Sequence, residues 1–272
     1  MFVTEPLGIF EFSDFTHNCC VCTSKGPARR LKMSGTAVSC LFGKPMGSEE
    51  GLQAKRSLED RVVLLGGELM DTLWNVEVTY KMRQKKKRAL GSEMRYGVNT
   101  AAPFVGMKRE EGNDYPFAKQ YCIRSSNDRG TRVMVVQEMA DESQSLPEGK
   151  LKNVLDLEGE ADLGAISTTN GMVTRLKATI EGHAYLLGDY IVRVGQCRKG
   201  AVYRGLCLEV EYLPAVRVVD GLAMITALIP SIDGNFVSTS DLCDPRLFGT
   251  EPFYSAKHAA LQTTDLFNKV FA

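Results

Sequence analysis

Two glutamates stand two positions apart in the segment YRGLCLEVEYLP, residues 203–214. Side chains at i and i+2 of a β-strand lie on one face of the sheet, so Glu209 and Glu211 are expected to share a face with Cys207. Paired carboxylates on a sheet can bind a divalent cation, as in tunnel-shaped phosphohydrolases that act on triphosphates. The same pattern also occurs on ordinary strands whose polar face contacts solvent or a partner.

The other strands offer little support for catalysis by these glutamates. A tunnel phosphohydrolase needs glutamates on several strands, together with many inward-pointing basic residues. The segment VEVTYK contains Glu77, but Thr79 stands where a second glutamate would be needed. We therefore expect Glu209 and Glu211 to lie on a solvated or partner-facing surface, and we predict no catalytic residues and no cofactor.

A cysteine cluster raises the question of a metal site. The segment HNCCVC (17–22) has one C-x-x-C pair, whereas structural zinc generally requires two ligand pairs. We expect free thiols and no metal, although the pattern leaves metal binding open at Cys19, Cys20 and Cys22. The three histidines are far apart, and the sequence contains no G-x-S-x-G motif, P-loop or dinucleotide fingerprint.

Composition narrows the class of protein. The 272 residues include 33 basic and 33 acidic side chains, which argues against a protein whose whole surface binds nucleic acid. No apolar run approaches the roughly 20 residues that span a bilayer, and the N-terminus lacks the pattern of a signal peptide. We expect a reducing compartment, the cytosol or nucleus, in which cysteines stay reduced.

A local basic run, KMRQKKKR, occupies residues 81–88. Such runs serve in nuclear import or in binding acidic partners, and they also occur as plain solvated loops. We predict a nuclear-import run formed by Lys81, Arg83, Lys85, Lys86, Lys87 and Arg88.

Periodicity predicts strands at residues 1–12, 74–82, 117–123, 131–139 and 171–182, and a hairpin over 188–214. Helices are predicted from Ser57, over 149–159, over 218–229 with Pro230 ending the segment, and at the amphipathic C-terminus. Residues 13–56 and 83–112 look like loop insertions. The pattern favours an α+β fold, a single domain over residues 1–272 with an antiparallel sheet and flanking helices.

The hairpin segments YLLGDYIVRVGQ and YRGLCLEVEYLP together resemble a strand pair of the Mediator complex subunit 20 family. The segments SLEDRVVLLGGELMDTLWNVEVTYK, NDYPFAKQYCI, KLKNVLDL and KHAALQTTDLFNKV follow in the family's order, the third matching a helix. The matching residues form a family signature and a predicted interface: Gly188, Asp189, Tyr190, Gly195, Arg204, Gly205, Glu209, Glu211 and Tyr212.

This resemblance implies a β-barrel-like sheet similar to Mediator subunit 18 and to tunnel triphosphatases, without catalysis. It also implies a nuclear protein of the Mediator head module, paired with subunit 18 and tethered by subunit 8. Such a protein couples regulators to RNA polymerase II, with no membrane contact and no direct sequence-specific nucleic-acid binding. The alternative hypothesis is a divergent tunnel-fold phosphohydrolase. The three glycines of the signature are expected at turns and bulges.

Overall fold

Eight strands and three helices are found in the part of the chain that the computed structural model describes. This part comprises residues 37–83, 117–127, 130–139, 153–157, 172–215, 217–233 and 253–271. It lies within one compact unit, Gly35–Ala272. The predicted strand at 1–12, the cysteines at 19–22 and residues 84–112 of the predicted second insertion lie outside the described residues.

The strands form a single antiparallel sheet in the order β1-β8-β7-β6-β2-β3-β4-β5. Their bounds are β1 Val38–Pro45, β2 Glu68–Arg83, β3 Phe117–Asn127, β4 Gly130–Met139, β5 Val154–Leu157, β6 Met172–Leu187, β7 Tyr190–Lys199 and β8 Val202–Tyr212. The predicted strands at 74–82, 117–123, 131–139 and 171–182 and the hairpin at 188–214 are confirmed.

Three helices pack on this sheet: α1 Ser48–Leu64, α2 Val218–Ile232 and α3 Ala256–Phe271. Helix α3 contacts β1 and β8 near one end of the sheet and β3, β4 and β5 near the other. The sheet therefore curls around α3 as an open barrel. Helices α1 and α2 cover the outer face, α1 over β6, β7 and β8 and α2 over β1 and β8. The predicted α+β architecture is confirmed.

Strand β1 shows how both faces of the sheet become buried. A Cβ atom added at Gly43 would collide with Leu266 of α3, so Gly43 lies on the inner face. A Cβ atom added at Gly221 of α2 would collide with Val38, which therefore lies on the outer face. Both faces of the sheet are therefore covered in this region.

The predicted loop insertion at 13–56 is wrong from residue 38 onwards. Strand β1 pairs with β8 along its whole length, and this nonlocal pairing outweighs the weak strand preference of Gly43 and Pro45. Helix α1 begins at Ser48, nine residues before the predicted cap at Ser57. Glu49 and Glu50 favour a start at Ser48 because acidic side chains in the first turn interact favourably with the helix dipole.

Two other helix predictions are also wrong, one in the type of element and one in where the helix ends. Residues 154–157 form β5 rather than part of a helix, because they pair with β4; a short apolar run does not distinguish the two by periodicity. Helix α2 continues past Pro230 to Ile232. Its last turn is held by the amide of Asp233, which donates to the Ile229 carbonyl, and by burial of Ile229 and Ile232.

The predicted C-terminal helix is confirmed, and it packs on the protein's own sheet. Phe267 is 3% exposed, and its ring lies 5.7 Å from that of Tyr80 and 5.6 Å from that of Tyr121. Among the described helices, none is long and apolar enough to span a bilayer.

Candidate functional site

Glu209 and Glu211 lie on the inner face of the sheet, beneath α3. The register pairs them with Leu41 and Ser39 of β1, on the same face as Gly43. Their side chains are 14% and 7% exposed. The prediction that these side chains face solvent or a partner is therefore wrong for Glu211. Glu209 keeps only a small exposed part of its side chain.

Arg193 of β7 joins the two carboxylates. Its Nη1 lies 3.3 Å from Oε2 of Glu209, and its Nη2 donates to Oε2 of Glu211 at 2.8 Å. The arginine side chain is only 1% exposed. Buried carboxylates are costly unless they are paired, and Arg193 supplies the compensating positive charge.

Polar groups from β1 and from the C-terminal segment lie next to these charges. Tyr254 and Ser39 share a hydrogen bond of 2.7 Å between their hydroxyls, and Nε2 of Gln262 donates to the Ser39 carbonyl at 3.1 Å. Burial raises the pKa of Tyr254 well above its usual value, and the nearby carboxylates raise it further. The phenol therefore stays protonated and can donate a hydrogen bond. We call Arg193, Glu209, Glu211 and Tyr254 the buried polar centre.

The buried polar centre is suited to holding the barrel together. The arginine binds the two carboxylates, and Tyr254 connects β1 to the chain just before α3. Within the described residues, no group of three or more histidine, cysteine or acidic side chains is placed to hold a metal ion. Four cysteines in this part of the chain, Cys40, Cys122, Cys197 and Cys207, are buried free thiols, as predicted.

A second charged cluster lies on the outer face, between α1 and β6. Nδ1 of His183 lies 2.8 Å from Oε1 of Glu59, and Lys55 also donates to this carboxylate. Partial burial works to raise the pKa of Glu59, but the hydrogen bonds from Lys55 and His183 outweigh it, so the pKa is lowered. Burial, together with the charge of Glu59, raises the pKa of Tyr185 to about 12. This cluster clamps α1 to the sheet.

Several signature residues line an open groove beside the β6–β7 turn. Tyr190 and Tyr212 are directly opposite each other on neighbouring strands, with ring centroids 4.9 Å apart. The Tyr190 hydroxyl donates to the Met224 carbonyl of α2 at 3.4 Å. Burial raises the pKa of Tyr190, with smaller contributions from Tyr212 and Asp189. We call the open groove the signature groove. Its lining includes Leu65, Leu187, Gly188, Asp189, Tyr190, Tyr212, Met224 and Leu228.

The glycine predictions are confirmed at two of three positions. Gly188 lies in the β6–β7 turn at φ +56°, and Gly205 pairs with Cys197 beside a register shift. Gly195 instead lies in regular pairing, where a Cβ atom would come 2.9 Å from the Trp74 ring. The glycine at 195 makes room for the buried indole. Arg204 is exposed on β8.

The predicted import run is only partly described. Lys81 is a β2 residue that is 3% exposed, so its side chain is not available to an import receptor. Arg83 ends β2 and is partly exposed. Lys85, Lys86, Lys87 and Arg88 lie outside the described residues.

A family model covers residues 35–271 of the chain, and therefore includes the buried polar centre and the signature groove. Its description is the TATA-binding related factor (TRF) of subunit 20 of Mediator complex. The chain belongs to the Mediator subunit 20 family.

A curated relative agrees with this Mediator subunit 20 assignment over a shorter stretch. Mediator of RNA polymerase II transcription subunit 20 from Gallus gallus is 31% identical over 96 residues. The match covers 35% of this chain and 44% of the chicken protein, less than half of either.

Two solved structures are distantly similar to this Mediator subunit 20 family member. A protein from Pyrococcus horikoshii OT3 has a TM-score of 0.37 at 10% identity, covering 72% of this chain and 89% of its own. A chain of the Schizosaccharomyces pombe Mediator head module has a TM-score of 0.31 at 12% identity, covering 77% and 94%. Scores this low support no inference about function.

Sequence patterns missed Arg193, Tyr254 and the Lys55–Glu59–His183 cluster. Arg193 had a detectable signal, since it is a lone charge within the apolar strand YIVRVG. A regular alignment from the pair Lys199–Val202 would place Arg193 opposite Leu208, and only the register shift between Cys197 and Arg198 brings it opposite Glu209. Tyr254 had no such signal, because it contacts Ser39 from 215 residues further along the chain.

Proposed function

We propose that this chain is a non-enzymatic subunit of the Mediator head module that pairs with subunit 18. The observation that carries the proposal is the family match over residues 35–271. Subunit 8 would tether the pair, and the assembly would help couple regulators to RNA polymerase II in the nucleus. Contact with RNA polymerase II machinery is indirect in this proposal.

The buried polar centre supports a role without catalysis. A hydrolase would use its carboxylates to hold a metal ion or substrate in an accessible site. Here Arg193 binds both Glu209 and Glu211, and α3 covers the sheet face on which they lie. The same geometry disfavours the alternative of a tunnel-fold phosphohydrolase.

Exposed apolar side chains support a role in binding other proteins. Leu64, Leu69 and Leu73 are 82%, 62% and 70% exposed at the end of α1 and the start of β2. A contiguous exposed apolar patch is typical of an interaction surface, and in this proposal the three leucines contribute to one. A partner that covers them would gain roughly 25 cal/mol for each Å² of apolar surface removed from water.

Co-expression with the subunit 18 homologue tests the pairing. We expect the two chains to elute together from a size-exclusion column at micromolar concentration. The double variant Leu69→Asp/Leu73→Asp should weaken co-elution, whereas Val202→Asp, at a 56% exposed site beside the β7–β8 turn, serves as the matched control. Separate elution of the unmodified chains would contradict the proposed pairing.

Nuclear import is tested with a fluorescent fusion. We propose that residues 85–88 promote nuclear entry, and that Lys81 does not contribute because it is buried. Changing Lys85, Lys86, Lys87 and Arg88 to alanine should reduce nuclear accumulation in cells that lack the partner. Unchanged accumulation in those cells would identify the run as a solvated loop.

A further inference from the structure

The signature groove combines aromatic, acidic and apolar groups in one open depression. Its volume is about 390 Å³, large enough for one or two amino-acid side chains of a partner. The ring pair of Tyr190 and Tyr212 lies in its wall, and the exposed carboxylate of Asp189 lies at the turn beside them. Met224 and Leu65, which are 41% and 40% exposed, add apolar surface.

This combination is suited to a cationic side chain. The face of a tyrosine ring attracts a cation within about 6 Å of its centre, and a carboxylate beside the ring attracts the same cation. The apolar stem of lysine or arginine can pack on methionine and leucine while its charged end approaches Asp189. We propose that the signature groove binds a lysine or arginine side chain of a protein partner, flanked in that partner by an apolar residue.

Arg61 disfavours a cation at one part of the groove wall. Nε of Arg61 donates to the Ser231 carbonyl at 3.0 Å, and Ser231 also lines the groove. A second positive charge near Arg61 would be repelled, so the cation belongs at the Asp189 end.

This inference deepens the proposed function, and it rests on that function only in taking the ligand to be a protein. It assigns the signature residues Asp189, Tyr190 and Tyr212 a direct recognition role. The proposed pairing uses the exposed leucines of α1 and β2, and is measured separately by co-elution.

A displayed peptide library tests the recognition chemistry. The immobilised full chain is used to select from random 12-residue peptides, and the peptides obtained are then synthesised and their affinities measured. We expect the selected peptides to be enriched in lysine or arginine next to an apolar residue. Replacing that arginine by uncharged citrulline should weaken binding about five- to tenfold.

Variants of the chain locate the binding site. Asp189→Asn and Tyr212→Leu should each weaken the peptide about five- to tenfold, whereas Tyr212→Phe, which keeps the ring, should bind nearly as tightly as the unmodified chain. Asp71→Asn removes another exposed carboxylate elsewhere and is the matched control. Asp189 is exposed, so its variant should fold normally, which the thermal midpoint verifies.

Three results would overturn the proposal: peptides without basic enrichment, peptides whose binding is unchanged by Asp189→Asn, or a selection that yields no peptide. If peptides bind as expected while the subunit 18 homologue elutes separately, the pairing fails and the groove assignment stands. If the pair co-elutes and the peptide results are negative, the groove assignment fails and the pairing stands.

Discussion

At the scale of single residues, Arg193 is one of the buried charged side chains in the described part of the chain. It is nearly inaccessible to water, and it compensates two carboxylates that are themselves mostly buried. Removal of one partner from a buried ion pair is generally more damaging than loss of the whole pair, because an unpaired charge stays behind.

We expect Arg193→Met to lower the free energy of unfolding by about 3–5 kcal/mol, since it leaves Glu209 and Glu211 buried and repelling each other. Urea unfolding at neutral pH measures the change. Arg132→Met, at an exposed position of β4, is the matched control and should change the value by less than about 0.5 kcal/mol.

Adding Glu209→Gln and Glu211→Gln to Arg193→Met should recover part of the lost stability, because the unpaired charges are then removed. A triple variant that is no more stable than Arg193→Met would show that packing of the arginine, rather than its charge, is what matters.

Glu59 predicts a dependence of stability on pH. Its folded pKa is lowered below the ordinary value of 4.5, so the folded state binds its proton less tightly than the unfolded state does. The contribution to stability is fully present above about pH 4.5 and is lost as the pH falls through the folded pKa.

Glu59→Gln should therefore flatten the fall in stability below pH 4.5, as measured by urea unfolding between pH 3 and pH 6, which spans this range. The carboxylate is only partly buried, so solvent screening keeps the effect small. Glu68→Gln, at an exposed position, is the matched control. An unchanged pH profile in Glu59→Gln would show that the salt bridges to Lys55 and His183 contribute little.

At the scale of secondary-structure elements, α3 organises the barrel. Leu266 and Phe267 are buried on the inner face, and the Tyr121 hydroxyl donates to Oδ1 of Asn268 at 3.0 Å. Strands from both ends of the sheet contact this helix. The helix therefore connects the two ends of the curved sheet, as pairing between edge strands does in a closed barrel.

Phe267→Ala should lower the free energy of unfolding of the isolated chain by about 3–5 kcal/mol, because it leaves a cavity among Tyr80, Tyr121 and Phe271. The thermal midpoint provides the measurement. Leu64→Ala is the matched control, since Leu64 is 82% exposed and its truncation opens no cavity. Equal midpoints for the two variants would contradict a core role for α3.

Elements with strong periodicity could be predicted from sequence, and short or nonlocally stabilised ones could not. The alternation of Trp74, Val76 and Val78 predicted a strand whose buried face the structure confirms. Strand β1 was missed because it is stabilised by β8, which lies far along the chain. The four residues of β5 were assigned to a helix because a short apolar run fits either period.

The two glutamates of the candidate site were predicted from the sequence, whereas Arg193, Tyr254 and the position of α3 over them were not. The alternation of β8 correctly placed Glu209 and Glu211 on one face, opposite Leu208 and Val210. Whether that face is wet depends on what covers it, and α3 begins more than 40 residues later in the chain. Sheet curvature decides this, and local patterns carry no information about curvature.

At the scale of the whole molecule, the described part of the chain places the buried polar centre and the signature groove on opposite faces of the sheet. The inner face holds one arginine paired with two carboxylates, whereas the outer surface bears exposed leucines and the signature groove. This division fits a subunit that acts through contacts with other proteins. It also argues against catalysis by Glu209 and Glu211, because a substrate would have to displace α3 to reach them.

We therefore expect no release of phosphate when the chain is incubated with a nucleoside triphosphate and Mg²⁺ or Mn²⁺. Two-metal and multi-glutamate mechanisms need open coordination positions on several carboxylates, and Arg193 binds the paired carboxylates seen here. A colorimetric phosphate assay measures the rate, with Glu209→Gln/Glu211→Gln as the paired variant. A contaminating phosphatase would act equally in both preparations, whereas phosphate release that disappears in the variant would establish the hydrolase alternative and refute the scaffold role.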